Sequence, residues 1–292
     1  MHDAIAVLAN PRAGRGRHRG LLPAVVDRLG GAGPVRILTA GSGAEAEAAC
    51  KRAVREGVTA LVAVGGDGTV HRALQAVAGT GTLFGVVPAG TGNDFAAAAG
   101  VRDLGQVAAA LRDKRSVSLD LARITTATGE QRWFGAVLAT GFDAIVNEFA
   151  NRMRFPRGPR RYDVAVVLEL ARLRPRRYTL ELDGVDHSCA AVLVAVGNGP
   201  RYGAGLRVCP AADLTDGLLD VVVAAPLGRV ALLRIKPRLR RGTHVTDPRV
   251  RVHRAREVRI QAADIIAYAD GERIGPLELT VRCEPGAVQL LR

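Results

Sequence analysis

Short apolar runs alternate with amphipathic stretches along the first 125 residues: "AIAVLAN" at 4–10, "PVRILTA" at 34–40, "ALVAVGG" at 60–66 and "LFGVVPA" at 83–89. Short runs rich in Val, Ile, Leu and Ala, with little polar alternation, are the pattern of strands buried on both faces. Between them, apolar residues recur at helical spacing, which predicts helices near 18–29, 43–56, 69–78 and 103–113. Such alternation implies a parallel sheet with crossover helices, a Rossmann-like α/β domain over residues 1–125. Each strand runs into a loop rich in Gly, Pro, Asn or Thr, at the edge where open α/β sheets bind ligands.

After "SLDLARI" at 118–124 the pattern changes. The runs "RWFGAVLAT", "RRYTLELDG", "CAAVLVAVGNG", "LLDVVVAA", "REVRIQAA" and "LELTVRC" follow, most with turn residues between them, and helices are expected at about 159–173 and 228–240. This predicts a mainly antiparallel, β-sandwich-like domain over 126–284, with 285–292 as a segment returning to the first domain. At 292 residues the chain is about twice a typical domain, in keeping with two.

Charge narrows the partners. Lys and Arg number 41 against 28 Asp and Glu, a net charge of +13, which favours nucleotides, nucleic acids or acidic lipid surfaces. Aromatic residues make up only 4%, so stacking platforms for single-stranded nucleic acid are scarce. Cys50, Cys189, Cys209 and Cys283 have no metal-ligand spacing and read as free thiols. The apolar stretch at 4–9 is too short for a signal peptide or a membrane span, so the expectation is a cytoplasmic protein with peripheral membrane contact at most. His71, His187 and His244 have no visible Ser or Cys partner and read as surface or packing residues.

The candidate chemistry lies in two glycine loops. In "GGDGTV" at 65–70 the glycines permit close approach of backbone to a ligand, and the helix that follows offers free N–H groups and a positive dipole end to phosphate. The sequence is neither GxxxxGK[ST] nor GxGxxG. "VPAGTGNDFA" at 87–96 repeats the logic, with Asp94 also readable as a helix cap and Asp67 as a turn residue. A carboxylate beside phosphates is repulsive unless a divalent cation lies between them, so Asp67 and Asp94 are candidates to hold Mg2+ directly or through water.

"GGDGT" followed by "PAGTGNDFA" resembles the bacterial diacylglycerol kinase and lipid kinase family, related to sphingosine kinases. "NPRAG" at 10–14, "DLTDGLLDV" at 213–221 and "ADGE" at 269–272 extend the resemblance over nearly the whole chain. The resemblance implies an ATP site between two domains, with Asn10, Pro11, Gly14, Thr39, Gly65, Gly66, Asp67, Gly68, Thr69 and Thr91 around the nucleotide; Arg15 joins them as a phosphate contact on its own chemistry, a cation with a planar fork. It implies Asp67, Asp94 and Asp120 around a catalytic Mg2+, and Glu272 as the base for the acceptor hydroxyl. It further implies a structural Mg2+ held by Asp213, Asp216 and the carbonyl of Leu218. From the residues alone, Asp120 could end a strand, Asp213 and Asp216 could be turn residues, and Glu272 could belong to an Asp-Gly hairpin. Some members carry Lys after the Asn-Pro loop where this chain has Arg15, and Arg is not equivalent to Lys at a tight phosphate site.

Residues 152–177 hold nine arginines and two acids around an apolar helical centre, and 229–259 hold eleven Lys or Arg. Such stretches suit an anionic bilayer surface or, equally, a solvated helix packed on the second domain. The expected function is ATP-dependent phosphorylation of a lipid hydroxyl, diacylglycerol first, with no specific nucleic-acid partner and a homodimer left open. NAD kinase-like phosphorylation of a soluble hydroxyl and non-enzymatic nucleic-acid binding are the alternatives. The latter explains the charge but leaves the acidic glycine loops unexplained.

Overall fold

A computed structural model of the chain describes residues 4–9, 20–153, 155 and 160–292. The first half runs β1 (Ile5–Ala9), α1 (Leu21–Gly30), β2 (Val35–Leu38), α2 (Gly43–Arg55), β3 (Ala60–Gly65), α3 (Asp67–Val77), β4 (Leu83–Pro88), α4 (Asp94–Ala98) and α5 (Leu104–Arg112). Its strands lie in the order β2, β1, β3, β4, all parallel. Every residue of β3 is buried, as a strand covered on both faces must be. Helix α1 packs with α5, and α2 with α3. Burial of Leu61, Leu74 and Phe84 in this core stabilises the fold by about 1.5–3 kcal/mol each.

The second half contains β5 (Ser116–Thr126), β6 (Gln131–Phe134), β7 (Val137–Ala139), α6 (Phe142–Arg152), α7 (Arg160–Ala171), β8 (Arg176–Leu182), β9 (Val185–Asp186), β10 (Cys189–Ala191), β11 (Leu193–Gly197), β12 (Leu219–Ala224), α8 (Arg229–Arg241), β13 (Val250–Ala255), β14 (Glu257–Ala269) and β15 (Glu272–Leu291). Here the pairing is antiparallel: β13 with β12, β12 with β11, β11 with β7, β7 with β14 and β14 with β15. Strand β12 buries both faces with a period of two. Val221 and Val223 enter one core, while Val222 and Ala224 enter another that also takes Ile235 of α8. The fold is therefore an α/β unit with a parallel sheet joined to a mainly antiparallel β unit.

Strand β15 connects the two. Its early residues pair with β14, and near its end Gln289 and Leu290 pair in parallel with Leu83 and Phe84 of β4. Val288, Leu290 and Leu291 accordingly belong to the core of the first half.

Three local features differ from the sequence-based expectation. Helix α3 begins at Asp67 instead of 69, because Gly66 is extended and its carbonyl accepts the N–H groups of Thr69 and Val70. The run "RWFGAVLAT" is split into β6 and β7, since the N–H groups of Gly135 and Ala136 donate to Asp270 instead of to a neighbouring strand. Helix α6, not foreseen, is a short element whose buried face includes Ala144 and Ala150 and packs against β14.

Candidate active site

Strand order 2-1-3-4 reverses between β1 and β3, the point at which open sheets leave a crevice at the strand C-termini. A cavity of about 550 Å³ opens there, lined by Leu8 and Ala9 at the end of β1, residues 40–43 after β2, residues 66–69 at the start of α3, Arg72 and Glu272. Small residues and free helix N–H groups dominate its wall, which suits an anion.

The two glycine loops press against each other. A Cβ at Gly90 would lie 2.4 Å from the Cα of Gly66, so only glycine permits this approach. Asn93 then takes the left-handed conformation, φ 55°, its side chain accepting from the Gly90 N–H at 2.8 Å and donating to the Gly90 carbonyl at 3.1 Å. Asp94 thereby becomes the first residue of α4, and its carboxylate crosses to the second half, accepting the N–H groups of Ala204 and Gly205, each at 2.9 Å. Asp67 Oδ1 accepts the Phe95 N–H at 3.4 Å. Burial, followed by the charge of Asp94, pushes the Asp67 carboxyl above the usual range.

The Asp67 and Asp94 pair fits a divalent cation. A Cβ at Gly92 would lie 2.7 Å from Asp67 Oδ2 and 3.4 Å from Asp94 Oδ2, so glycine lets this loop lie against both carboxylates without crowding their oxygens. Among the described residues no three His, Cys, Asp or Glu side chains cluster into a complete cage. Two carboxylates that share the ion with substrate phosphates are the usual arrangement for Mg2+.

A second cavity, about 540 Å³, lies on the other side of Asp67, between the two halves. Its apolar lining includes Val70, Phe95, Val137, Val146, Val166 and Leu206, with Tyr202 and Tyr268. Its charged residues are Asp67, Asp94, Asp143 and Asp270, with no Lys, Arg or His among the described lining residues. Tyr202 donates its hydroxyl to Asp143, and burial pushes the Asp143 carboxyl up.

Comparison with known proteins places this architecture. The family model described as the diacylglycerol kinase catalytic domain matches residues 4–124, and that described as the YegS C-terminal NAD kinase beta sandwich-like domain matches residues 136–292. A diacylglycerol kinase of Mycobacterium tuberculosis is 40% identical over 292 residues, spanning 99% of this chain and 94% of its own. The chain belongs to the diacylglycerol kinase family. A "Probable lipid kinase YegS-like" of Stenotrophomonas maltophilia is 30% identical over 84% of this chain and 82% of its own. The crystal structure of a diacylglycerol kinase from Bacillus anthracis shares the fold, with a TM-score of 0.73 at 20% identity, covering 99% of this chain and 96% of that one.

Within this diacylglycerol-kinase-family fold, Gly66, Asp67, Gly68, Thr69 and Glu272 share the first cavity, whereas Asp94 lines the second. Gly65 ends β3 beside them. Thr39 and Thr91 are exposed and line neither cavity. Asn10, Pro11, Gly14 and Arg15 lie outside the described residues. Asp120 is buried and lines neither cavity; its carboxylate accepts the N–H groups of Gly217 and Gly286, each at 2.8 Å, tying the 214–217 turn to β15.

The residues that the resemblance implies for a structural cation are engaged by protein groups in this structure. Asp213 closes its own turn by accepting from the N–H and hydroxyl of Thr215, and Asp216 accepts the Leu218 N–H and pairs with Arg254. The guanidinium of Arg254, which also reaches Asp220 at 3.1 Å, supplies the positive charge there.

Several site residues escaped the sequence reading. Asp270, in the turn of "ADGE", accepts from Gly135 and Ala136, and His71 Nδ1 lies 3.3 Å from it, so this buried histidine packs against the site itself. Asp270 and Gly271 both have positive φ, 51° and 82°, and form the two-residue hairpin turn that puts Glu272 at the start of β15, opposite Ala269. Its motif was a usable signal for Asp270. Asp143 and Tyr202 carry none, because they enter the site from separate elements, and Arg72, on the same helix as Asp67, lies just beyond the glycine-loop motif.

Proposed function

We propose that this protein is an ATP-dependent lipid kinase that moves the γ-phosphoryl group to the hydroxyl of a neutral lipid, diacylglycerol first, to give phosphatidic acid. The observation that carries this reading is the lining of the second cavity: apolar walls, four carboxylates and no cation among the described residues. Such a cleft repels a pyrophosphate and accepts an uncharged hydroxyl compound with apolar chains. This favours a lipid over NAD as acceptor, even though the second half resembles the NAD kinase sandwich.

In this reading the nucleotide phosphates occupy the first cavity against the N–H groups at the start of α3, and the acceptor occupies the second. Asp67, which lines both, stands where they meet. Mg2+, held by Asp67 and Asp94 directly or through water, supplies neutralisation of phosphate charge. Glu272, at the tip of the hairpin whose Gly271 lines the second cavity, takes the acceptor proton. The acceptor oxygen bonds to the γ-phosphorus as the bond to the bridging oxygen breaks, and ADP leaves. Catalysis is then positioning and charge neutralisation, with little covalent work for the protein. Asp120 in this account braces the Gly217 and Gly286 turns.

Access to a bilayer is proposed through α7 and α8, which meet where Arg229 donates to the Ala171 carbonyl. Phe155, Val167, Leu168 and Val230 are exposed apolar residues in this region, and Arg152 and Arg172 are exposed cations near them in sequence. No helix among the described residues is long and apolar enough to cross a membrane. Apolar insertion flanked by arginine suits an anionic surface.

The deciding experiment is transfer of labelled phosphate from Mg·ATP to diacylglycerol and other lipid alcohols in mixed micelles, and to NAD, by wild type and Glu272→Gln. The expected result is a labelled lipid, with kcat lowered about 10²- to 10⁴-fold in the variant. Labelled NAD with no labelled lipid would overturn the reading.

A further inference from the structure

Arg72 belongs to none of the motifs, yet it lines the first cavity together with Glu272. Nη2 donates to Glu272 Oε2 at 2.6 Å, and Nη1 lies 3.7 Å from Glu47 Oε2. Its Nε lies where a Cβ on Gly43 would be only 3.2 Å away, so the side chain rests against the first turn of α2. Both Arg72 and Glu272 are partly exposed to the cavity, their side chains 28% and 35% accessible.

Glu47 has little need of Arg72. Lys51 donates to it at 2.6 Å and Arg132 at 3.0 and 3.1 Å. Burial raises the Glu47 carboxyl, but the Lys51 hydrogen bond and the charges of Arg132, Lys51 and Arg72 outweigh it and hold the group below the usual range. Among the described residues the guanidinium hydrogen-bonds one carboxylate, that of Glu272, with Glu47 as a longer ion-pair partner, and it lies beside the positive dipole end of α2. A polyphosphate entering this cavity offers Arg72 a partner of higher charge and bidentate geometry, and it repels Glu272.

We infer that Arg72 is an exchange latch: in the nucleotide-free protein it holds Glu272, and in the nucleotide complex it passes to the phosphates and releases the Glu272 carboxylate to take the acceptor proton. This rests on the reading of the first cavity as the phosphate site and of Glu272 as the base. The base is then free only when the phosphoryl donor is in place. Arg72 acts as a positioning residue for Glu272 before binding and as a phosphate ligand after it.

The test measures the Kd for Mg·ATP by titration calorimetry, and KM and kcat for transfer, in wild type, Arg72→Ala, Arg72→Gln, Arg72→Lys and Glu272→Gln, with thermal unfolding as the check on folding. Exchange requires that Arg72→Ala and Arg72→Gln raise Kd and KM for Mg·ATP at least tenfold while kcat stays within about threefold, because Arg72 has already left Glu272 in the reacting complex. Arg72→Lys should recover part of that affinity. Glu272→Gln should bind Mg·ATP three- to tenfold more tightly, since no ion pair has to be broken. A fall in kcat with unchanged Kd in the Arg72 variants would overturn the latch, showing that Arg72 orients Glu272 throughout. Unchanged binding in Glu272→Gln would overturn it as well. Nucleotide binding without transfer to any lipid would remove the lipid kinase reading while the Kd values still decided the exchange. Failure of wild type to bind Mg·ATP would remove both.

Discussion

The two cavities that meet at Asp67 are alike in size, about 550 and 540 Å³, and opposite in construction. The first is built from loops that follow consecutive strands of one parallel sheet, so its wall is largely small residues, backbone and helix starts. The second is assembled from α3, α4, β7, α6, α7, the 202–206 segment and the hairpin between β14 and β15, and its wall is mostly side chains. A site for an anion can be made from backbone N–H groups, which any sequence supplies if glycine lets the ligand near. An apolar site can be made only from side chains, and so must be collected from distant parts of the chain.

The variants that break or sharpen this contrast run from the shared wall outward. Asp67→Asn removes the charge common to both cavities, and phosphoryl transfer is expected to fall on the order of 10²- to 10³-fold or more with thermal stability unchanged or improved, as Asp67 is held against burial and Asp94. Near-normal turnover in that variant would end the metal argument. Gly92→Ala places a methyl against Asp67 Oδ2 and should cut kcat about tenfold and raise the Mg2+ requirement, measured by metal titration of the rate, with lipid KM unchanged.

Val146→Phe fills the second cavity from α6. A rise in KM for lipid of about tenfold with an unchanged Kd for Mg·ATP is expected, and some loss of stability, about 1–3 kcal/mol, from overpacking. A change in nucleotide affinity instead would mean that the two cavities are one site.

Asp220→Asn touches neither cavity and has the smallest expected effect. Burial pushes the Asp220 carboxyl up to about 6 even though Arg254 Nε donates to its Oδ1 at 3.1 Å, a bond an Asn oxygen can still accept, and its Oδ2 has no hydrogen-bond partner among the described residues. Because the folded value is raised, the folded protein binds a proton that the unfolded chain releases between about pH 4 and 6. Wild-type stability from this group is thus complete at about pH 4 and declines as pH rises to 6. The variant should unfold roughly 2 °C higher than wild type at pH 7.5, with the gap closing toward pH 4. A gap that widened at low pH would contradict the raised carboxyl.

Legibility in the sequence follows the same division as the cavities. "GGDGT" announced the first cavity, and "PAGTGNDFA" the loop that packs on it, because glycine, asparagine and a helix start act locally, within a few residues of themselves. The strand and helix pattern of residues 1–125 was readable for a similar reason: a strand covered on both faces is apolar along its length whichever neighbours it has. The break at Gly135 was not readable, since it depends on the Asp270 carboxylate arriving from 134 and 135 residues away to take two N–H groups. Asp94 could be picked as acidic and placed before a helix, but not as the tie to Ala204 and Gly205. Asp213 and Asp216 had the right chemistry for a cation, and only the packing of β12 on β13 brought Arg254 beside Asp216.

The sequence by itself determined the alternation of strands and helices, the later shift to antiparallel strands, the glycine loops and the family, because each of these is expressed in periodicity or in contiguous motifs. Tertiary structure alone decided that Asp67 would stand between two cavities, that the second would be apolar and free of cations among its described residues, and that Glu272 would meet Arg72. These depend on strand order and register, and a side chain 200 residues from its partner leaves no trace of the pairing in the residues around it.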